Sequence, residues 1–64
     1  MNNSLLELLQ IGGKKNYEFH LKMTDDKENI LTLDGENRVI NVSIGNPEDE
    51  NLPNIIEDLI DKLK

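Results

Sequence analysis

The chain has no cysteine and no tryptophan, and it carries a single histidine, a single tyrosine and a single phenylalanine. Each scarcity removes a class of function. Without cysteine there is no disulfide framework, no thiolate nucleophile and no Cys/His set for a structural zinc ion. With so few aromatic rings there is no stacking platform of the kind a sugar hydrolase needs. A lone histidine, His20, has no second histidine or cysteine to share a metal with and no adjacent nucleophile to activate; it reads as a solvated strand residue. Basic residues are scarce too: 7 Lys and Arg stand against 13 Asp and Glu, a formal net charge of −6. A field of that sign repels phosphate, which argues against direct nucleic-acid binding and against an anionic membrane surface. No apolar run approaches the roughly 20 residues of a membrane span. Met1-Asn2-Asn3-Ser4 lacks the basic start of a signal peptide, so the expected compartment is the cytoplasm. The abundance of Asn, Ile, Lys and Glu is what AT-rich coding produces, as in bacteria and their phages or other mobile elements.

What is present is a patterned scaffold. The 64 residues make one small domain, 1–64, near the lower limit for folding alone. Ser4-Leu5-Leu6-Glu7 has the form of a capping box, in which the Ser4 hydroxyl and the Glu7 carboxylate each satisfy the other's backbone N–H. A short helix over 5–11 follows, with Gly12-Gly13 expected to close it in a left-handed conformation. Gly12-Gly13-Lys14-Lys15 is not a phosphate loop, because such a loop precedes a helix and this stretch follows one.

Residues 17–23 alternate: Tyr17, Phe19, Leu21 and Met23 point one way, Glu18, His20 and Lys22 the other. This is the period of a strand with one buried face. A second strand is expected over 30–34, with Leu31 and Leu33 inward. A third is expected over 38–44, with Ile40, Val42 and Ile44 inward and Val39, Asn41 and Ser43 outward. The polar stretch 24–28 and the turn Asp34-Gly35-Glu36-Asn37 separate them. Setting Leu31 against Val42, Leu33 against Ile40, Leu21 against Leu31 and Phe19 against Leu33 gathers every inward residue on one face. The last helix starts at an Asn51 cap with Pro53 in its first turn. Leu52, Ile55, Ile56, Leu59, Ile60 and Leu63 then form one apolar stripe. The expected fold class is α+β: a two-layer α-β-β-β-α arrangement, a three-stranded antiparallel meander with two helices packed on one face.

That element order is shared with the double-stranded-RNA-binding domain, a likeness of topology and not of sequence. Those domains meet phosphate with lysines at the start of the second helix. Here the same region holds Glu48, Asp49, Glu50, Glu57 and Asp58, so an RNA surface would be reversed in sign. Residues 46–57 carry oxygen-bearing side chains at the first, third, fifth, ninth and twelfth places, as in a calcium loop. Asn46 stands where a leading Asp is usual, Asn51 where the turn glycine is needed, and a strand precedes in place of a helix. An acidic helix-capping loop is the better reading, and neither metal nor cofactor is implied.

These absences and patterns point to a small acidic protein-interaction module that is not an enzyme, an inhibitor or an adaptor with a protein partner. One alternative is an acidic nucleic-acid mimic that occupies a basic groove, with Glu48, Asp49, Glu50, Glu57, Asp58 and Asp61 as its charged surface. Another is a purely structural self-assembling domain. The small size and an apolar first helix favour a homodimer. Leu6 and Ile11 are the candidate contacts if the helix mediates it. Val39, Asn41 and Ser43 are the candidates if the third strand, read as an outer strand, pairs with its copy.

Overall fold

The alternation along the chain becomes three strands, and the two apolar helical segments become a layer on one side of them. In the structure, a computed structural model that describes residues 3–64, the order is α1 (Ser4–Lys14), β1 (Glu18–Met23), β2 (Asn29–Asp34), β3 (Val39–Ile44) and α2 (Leu52–Leu63). Met1 and Asn2, part of the stretch read for a signal peptide, lie outside the described residues. The class is α+β, with two helices and a three-stranded mixed sheet.

The sheet is not a meander. Its strand order is β1-β3-β2, with β3 in the centre, antiparallel to β2 and parallel to β1. The expected pairs Leu31·Val42 and Leu33·Ile40 are present. The expected pairs Leu21·Leu31 and Phe19·Leu33 are not: Leu21 lies beside Val42 and Phe19 beside Ile40. The inward face keeps its membership, because this exchange of neighbours preserves the parity of the alternation. The topological likeness to the RNA-binding domain ends here.

The two connections explain the order. Residues 35–38 close a tight hairpin. Asp34 accepts from the backbone N–H of Glu36 at 3.1 Å and of Asn37 at 3.0 Å, and from the Asn37 side-chain amide at 2.9 Å. Arg38 holds the left-handed position there with φ 56°, not Gly35 or Asn37. Residues 24–28 do not close a hairpin. They cross the end of β3, a reach of about 10 Å for two strand spacings. Thr24 N–H donates to the Ile44 carbonyl at 3.0 Å, and Gly45 N–H donates to the Glu28 carbonyl at 2.9 Å. A Cβ on Gly45 would collide with the carbonyl oxygen of Asp26 and lie 2.6 Å from that of Glu28. Gly45 therefore lets the crossing loop pass. Asn29 pins the same corner. Its Oδ1 accepts from the N–H of Gly45 (3.0 Å) and of Asn46 (2.9 Å), and its Nδ2 donates to the Asn46 carbonyl at 2.7 Å.

The core is Leu8 of α1, Ile40, Val42 and Ile44 of β3, and Ile56, Leu59, Ile60 and Leu63 of α2. Leu5, Ile11, Tyr17, Phe19, Leu31, Leu33 and Leu52 pack around it, half-buried. Two expected helix ends are displaced. The cap of α1 is Asn3, whose carbonyl accepts from Glu7 N–H at 3.0 Å; Ser4 is the first helical residue and is buried, so it does not occupy the capping-box position. Gly12 and Gly13 lie inside the helix and neither takes positive φ; Asn16 does, with φ 63°. A short polar side chain tolerates that region. Gly12 serves another purpose. A Cβ there would stand 2.5 Å from Cζ of Phe19 and 3.2 Å from Cδ1 of Ile40. Its absence lets the last turn of α1 press onto the seam between β1 and β3. α2 starts after Asn51, as expected, with Pro53 in its first turn.

Candidate functional site

The inward face of β1 is covered at one end only. Where Gly12 brings α1 down, Phe19 is half-buried. Toward the other end of the strand the helix no longer closes on the sheet. Leu21 is 58% exposed and Met23 68%, although both lie on the core side of the sheet. They form one wall of a groove of about 430 Å³. Leu5 of α1, Ile44 at the end of β3, Pro47 of the loop after it, and Leu52, Pro53 and Ile56 of α2 complete its apolar lining. Both helices thus contribute their first turns, and the apolar stripe of α2 runs out of the core into this groove.

Ser4 and Asp49 are the polar residues of the lining. Asp49 is committed locally: its Oδ1 accepts from Asn51 N–H at 2.9 Å and its carbonyl accepts from Leu52 N–H at 3.1 Å, which shapes the entry to α2. One carboxylate and one hydroxyl among apolar walls suit the seating of a hydrophobic side chain.

The opposite face of the sheet is wet. His20 is exposed, and its Nε2 lies 2.5 Å from Oε2 of Glu18 on the same strand. Across the sheet His20 neighbours Asn41, which neighbours Thr32; Lys22 neighbours Ser43, which neighbours Ile30. Among the described residues, Ile30 is the large apolar side chain exposed there. The Asp34 carboxyl is held below its ordinary value of 3.8 by the Asn37 backbone N–H, by the Asn37 side-chain amide and by the Glu36 N–H, with burial acting in the opposite direction.

The residues singled out from the sequence fall in separate places. Leu6 projects from α1 and is 55% exposed, whereas Ile11 is packed half-buried against the core. Val39, Asn41 and Ser43 lie on the outward face of the central strand. Both backbone edges of β3 are occupied, one by β1 and one by β2, so β3 is no outer strand and cannot pair with a copy of itself. Glu48, Glu50, Glu57, Asp58 and Asp61 are exposed; Asp49 is half-buried at the groove. Among the described residues none of these six carboxylates has a cation within 4.0 Å; Lys64 pairs with Glu7, and His20 hydrogen-bonds Glu18. Residues 46–57 do not wrap around a common centre, since from Leu52 onward they are helix and Glu57 projects from α2. Among the described residues no group of three or more His, Asp or Glu side chains is placed to hold a metal ion, and no helix is long and apolar enough to cross a membrane.

The groove was missed from the sequence. The alternation puts Leu21 and Met23 on the buried face, and the one usable signal was length: the strand carries three inward residues, at 19, 21 and 23, beside a first helix of about two turns.

The chain matches no family model, no curated protein and no solved structure.

Proposed function

We propose that this protein is a small acidic interaction module without catalytic activity, an inhibitor or adaptor that works in the cytoplasm by seating an apolar element of another polypeptide along the β1 side. The observation that carries the reading is the exposure of Leu21 and Met23 on the core face, at the mouth of an apolar groove. Such exposed apolar surface has a cost in water unless something covers it, and in small folded proteins it marks contact sites. The groove walls supply what a hot spot needs, namely a concave patch of leucine, isoleucine, methionine and proline that excludes water around an inserted side chain. The acidic residues then serve solubility and the exclusion of nucleic acid.

The test is site-specific photo-cross-linking, in cells and in lysate brought to rising salt before irradiation, with a photoreactive residue at Met23, at Thr32 on the outer face, or at Glu57 on α2. Cross-links to polypeptide at Met23 that survive high salt support the groove. Cross-links concentrated at Glu57 and lost steeply as salt rises would replace this reading with the nucleic-acid mimic, because exposed charge contacts are screened and apolar ones are not. Reproducible turnover that disappears in Asp49→Asn or His20→Ala would overturn the non-enzymatic reading.

A further inference from the structure

We infer that the element seated along β1 is a second copy of this chain, joined by antiparallel pairing of the two β1 strands about a two-fold axis at His20. The inference rests on the interaction reading above and specifies its partner. It starts from the phase of the backbone. Glu18 N–H donates to the Arg38 carbonyl at 2.8 Å, and Thr24 N–H donates to the Ile44 carbonyl at 3.0 Å. The even-numbered residues of β1 therefore spend their backbone groups on β3. By alternation, Phe19, Leu21 and Met23 present theirs to the free edge. A copy pairing there must set odd-numbered residues against odd-numbered residues.

Several registers meet that condition, and charge separates them. The outward side chains of β1 read Glu18, His20, Lys22: an acid, an imidazole that bonds that acid along the strand, and a base. An axis at His20 places Glu18 of each copy against Lys22 of the other, twice per dimer, while Phe19 bonds across to Leu21 of the copy. An axis at Leu21 would set Lys22 against His20 and leave Glu18 facing Thr24. An axis at Phe19 would set Glu18 against His20 and leave Met23 beyond the pairing. The His20 register alone satisfies both charges, and cross-strand opposite charges are what select a register.

The apolar surface agrees. Among the described residues five large apolar side chains are exposed, and four of them (Leu6, Leu9, Leu21 and Met23) belong to α1 and β1. Leu9 follows Leu5 by four residues and so continues the groove-lining flank of α1, with Leu6 beside it. Because Gly12 seats the last turn of α1 over the β1–β3 seam, pairing at β1 brings the last turns of the two α1 helices to about 10 Å from one another, within the range of helix packing. The product is a six-stranded sheet with a closed, isologous contact.

Charge reversal tests the register. Both positions are exposed on an edge strand, so the fold tolerates the changes. Glu18→Lys alone and Lys22→Glu alone each set like charges opposite one another, and each is expected to weaken dimerisation about tenfold in sedimentation equilibrium at low salt. The double variant Glu18→Lys/Lys22→Glu restores it, and an equimolar mixture of the two single variants associates as a heterodimer. A dimer indifferent to all of these reversals would overturn the inference, since its contact would lie elsewhere. A folded monomer at every concentration, with Met23 still cross-linking to another polypeptide in cells, would overturn the inference and leave the interaction module standing.

Discussion

β1 and β3 lie side by side in parallel register and share one pattern, yet they have opposite fates. Each offers three inward apolar residues, Phe19, Leu21 and Met23 in one and Ile40, Val42 and Ile44 in the other. In β3 these are 0%, 2% and 6% exposed; in β1 the last two are more than half exposed. The alternation is therefore a statement about sides and not about depth. Depth comes from neighbours. β3 has a strand on each flank and a helix over each seam, whereas β1 has one strand and a helix that descends only at Gly12. The central strand holds the molecule together, and the edge strand leaves apolar side chains exposed.

The largest expected effect tests that difference directly. Ile40→Ala removes side-chain volume from a fully enclosed site and is expected to lower stability by about 3–4 kcal/mol, whereas Leu21→Ala, from a residue in the same sheet and on the same face, is expected to change it by less than about 1 kcal/mol. Chemical denaturation of the two variants measures the gap; equal losses would mean that β1 is as deeply packed as β3.

Next in size is Gly45→Ala. The added carbon meets backbone carbonyls of residues 26 and 28, which cannot swing aside as a side-chain tip would. A loss of about 2–3 kcal/mol is expected. Hydrogen exchange should show it as faster opening of β1 and its crossing loop, with the β2–β3 pairing less affected. Uniform acceleration across the sheet would show that the crossing loop and the hairpin open as one unit.

The smallest effect is confined to the hairpin, away from the β1 edge. Asp34 has a lowered native value, so its contribution is complete above the ordinary 3.8 and is lost as pH falls through the lower native value. Asp34→Asn is thus expected to remove part of the acid sensitivity: the difference in melting temperature between the two proteins narrows as pH is taken from about 5 to about 2. A constant difference over that range would show that the carboxylate plays no part in holding the turn.

Much of the fold was legible because it depends on local pattern. The stripe from Leu52 to Leu63, the inward sets of all three strands and the β2–β3 register follow from side-chain period, which pairing cannot alter. The strand order was not legible, because it hangs on the stretch 24–28, whose polar residues suit a hairpin and a crossing equally well. Gly45 was the clue. It is a position without a side chain at the place where the loop must pass. Gly12 was misread: a glycine near a helix end resembles a stop, and a close approach to Phe19 cannot be seen until the strand is in place. Beyond the hint in strand length, the groove was not legible, because the two leading turns that build it, at Leu5 and at Leu52, are brought together by packing alone. Ser4 and Asp49 enter it the same way.

The parallel neighbour of β3 also fixes an order of events in time. The β2–β3 hairpin is closed by a short turn and needs no distant partner. β1 joins the far edge of β3, and its pairing closes a longer loop than the hairpin does. Folding is accordingly expected to start at the hairpin, with β1 docking after it. By microscopic reversibility β1 is also the first to leave. A chain paused at that stage presents the raw edge of β3, with Ile40, Val42 and Ile44 beside it, so the moment of greatest vulnerability to aggregation falls between the closing of the hairpin and the arrival of β1.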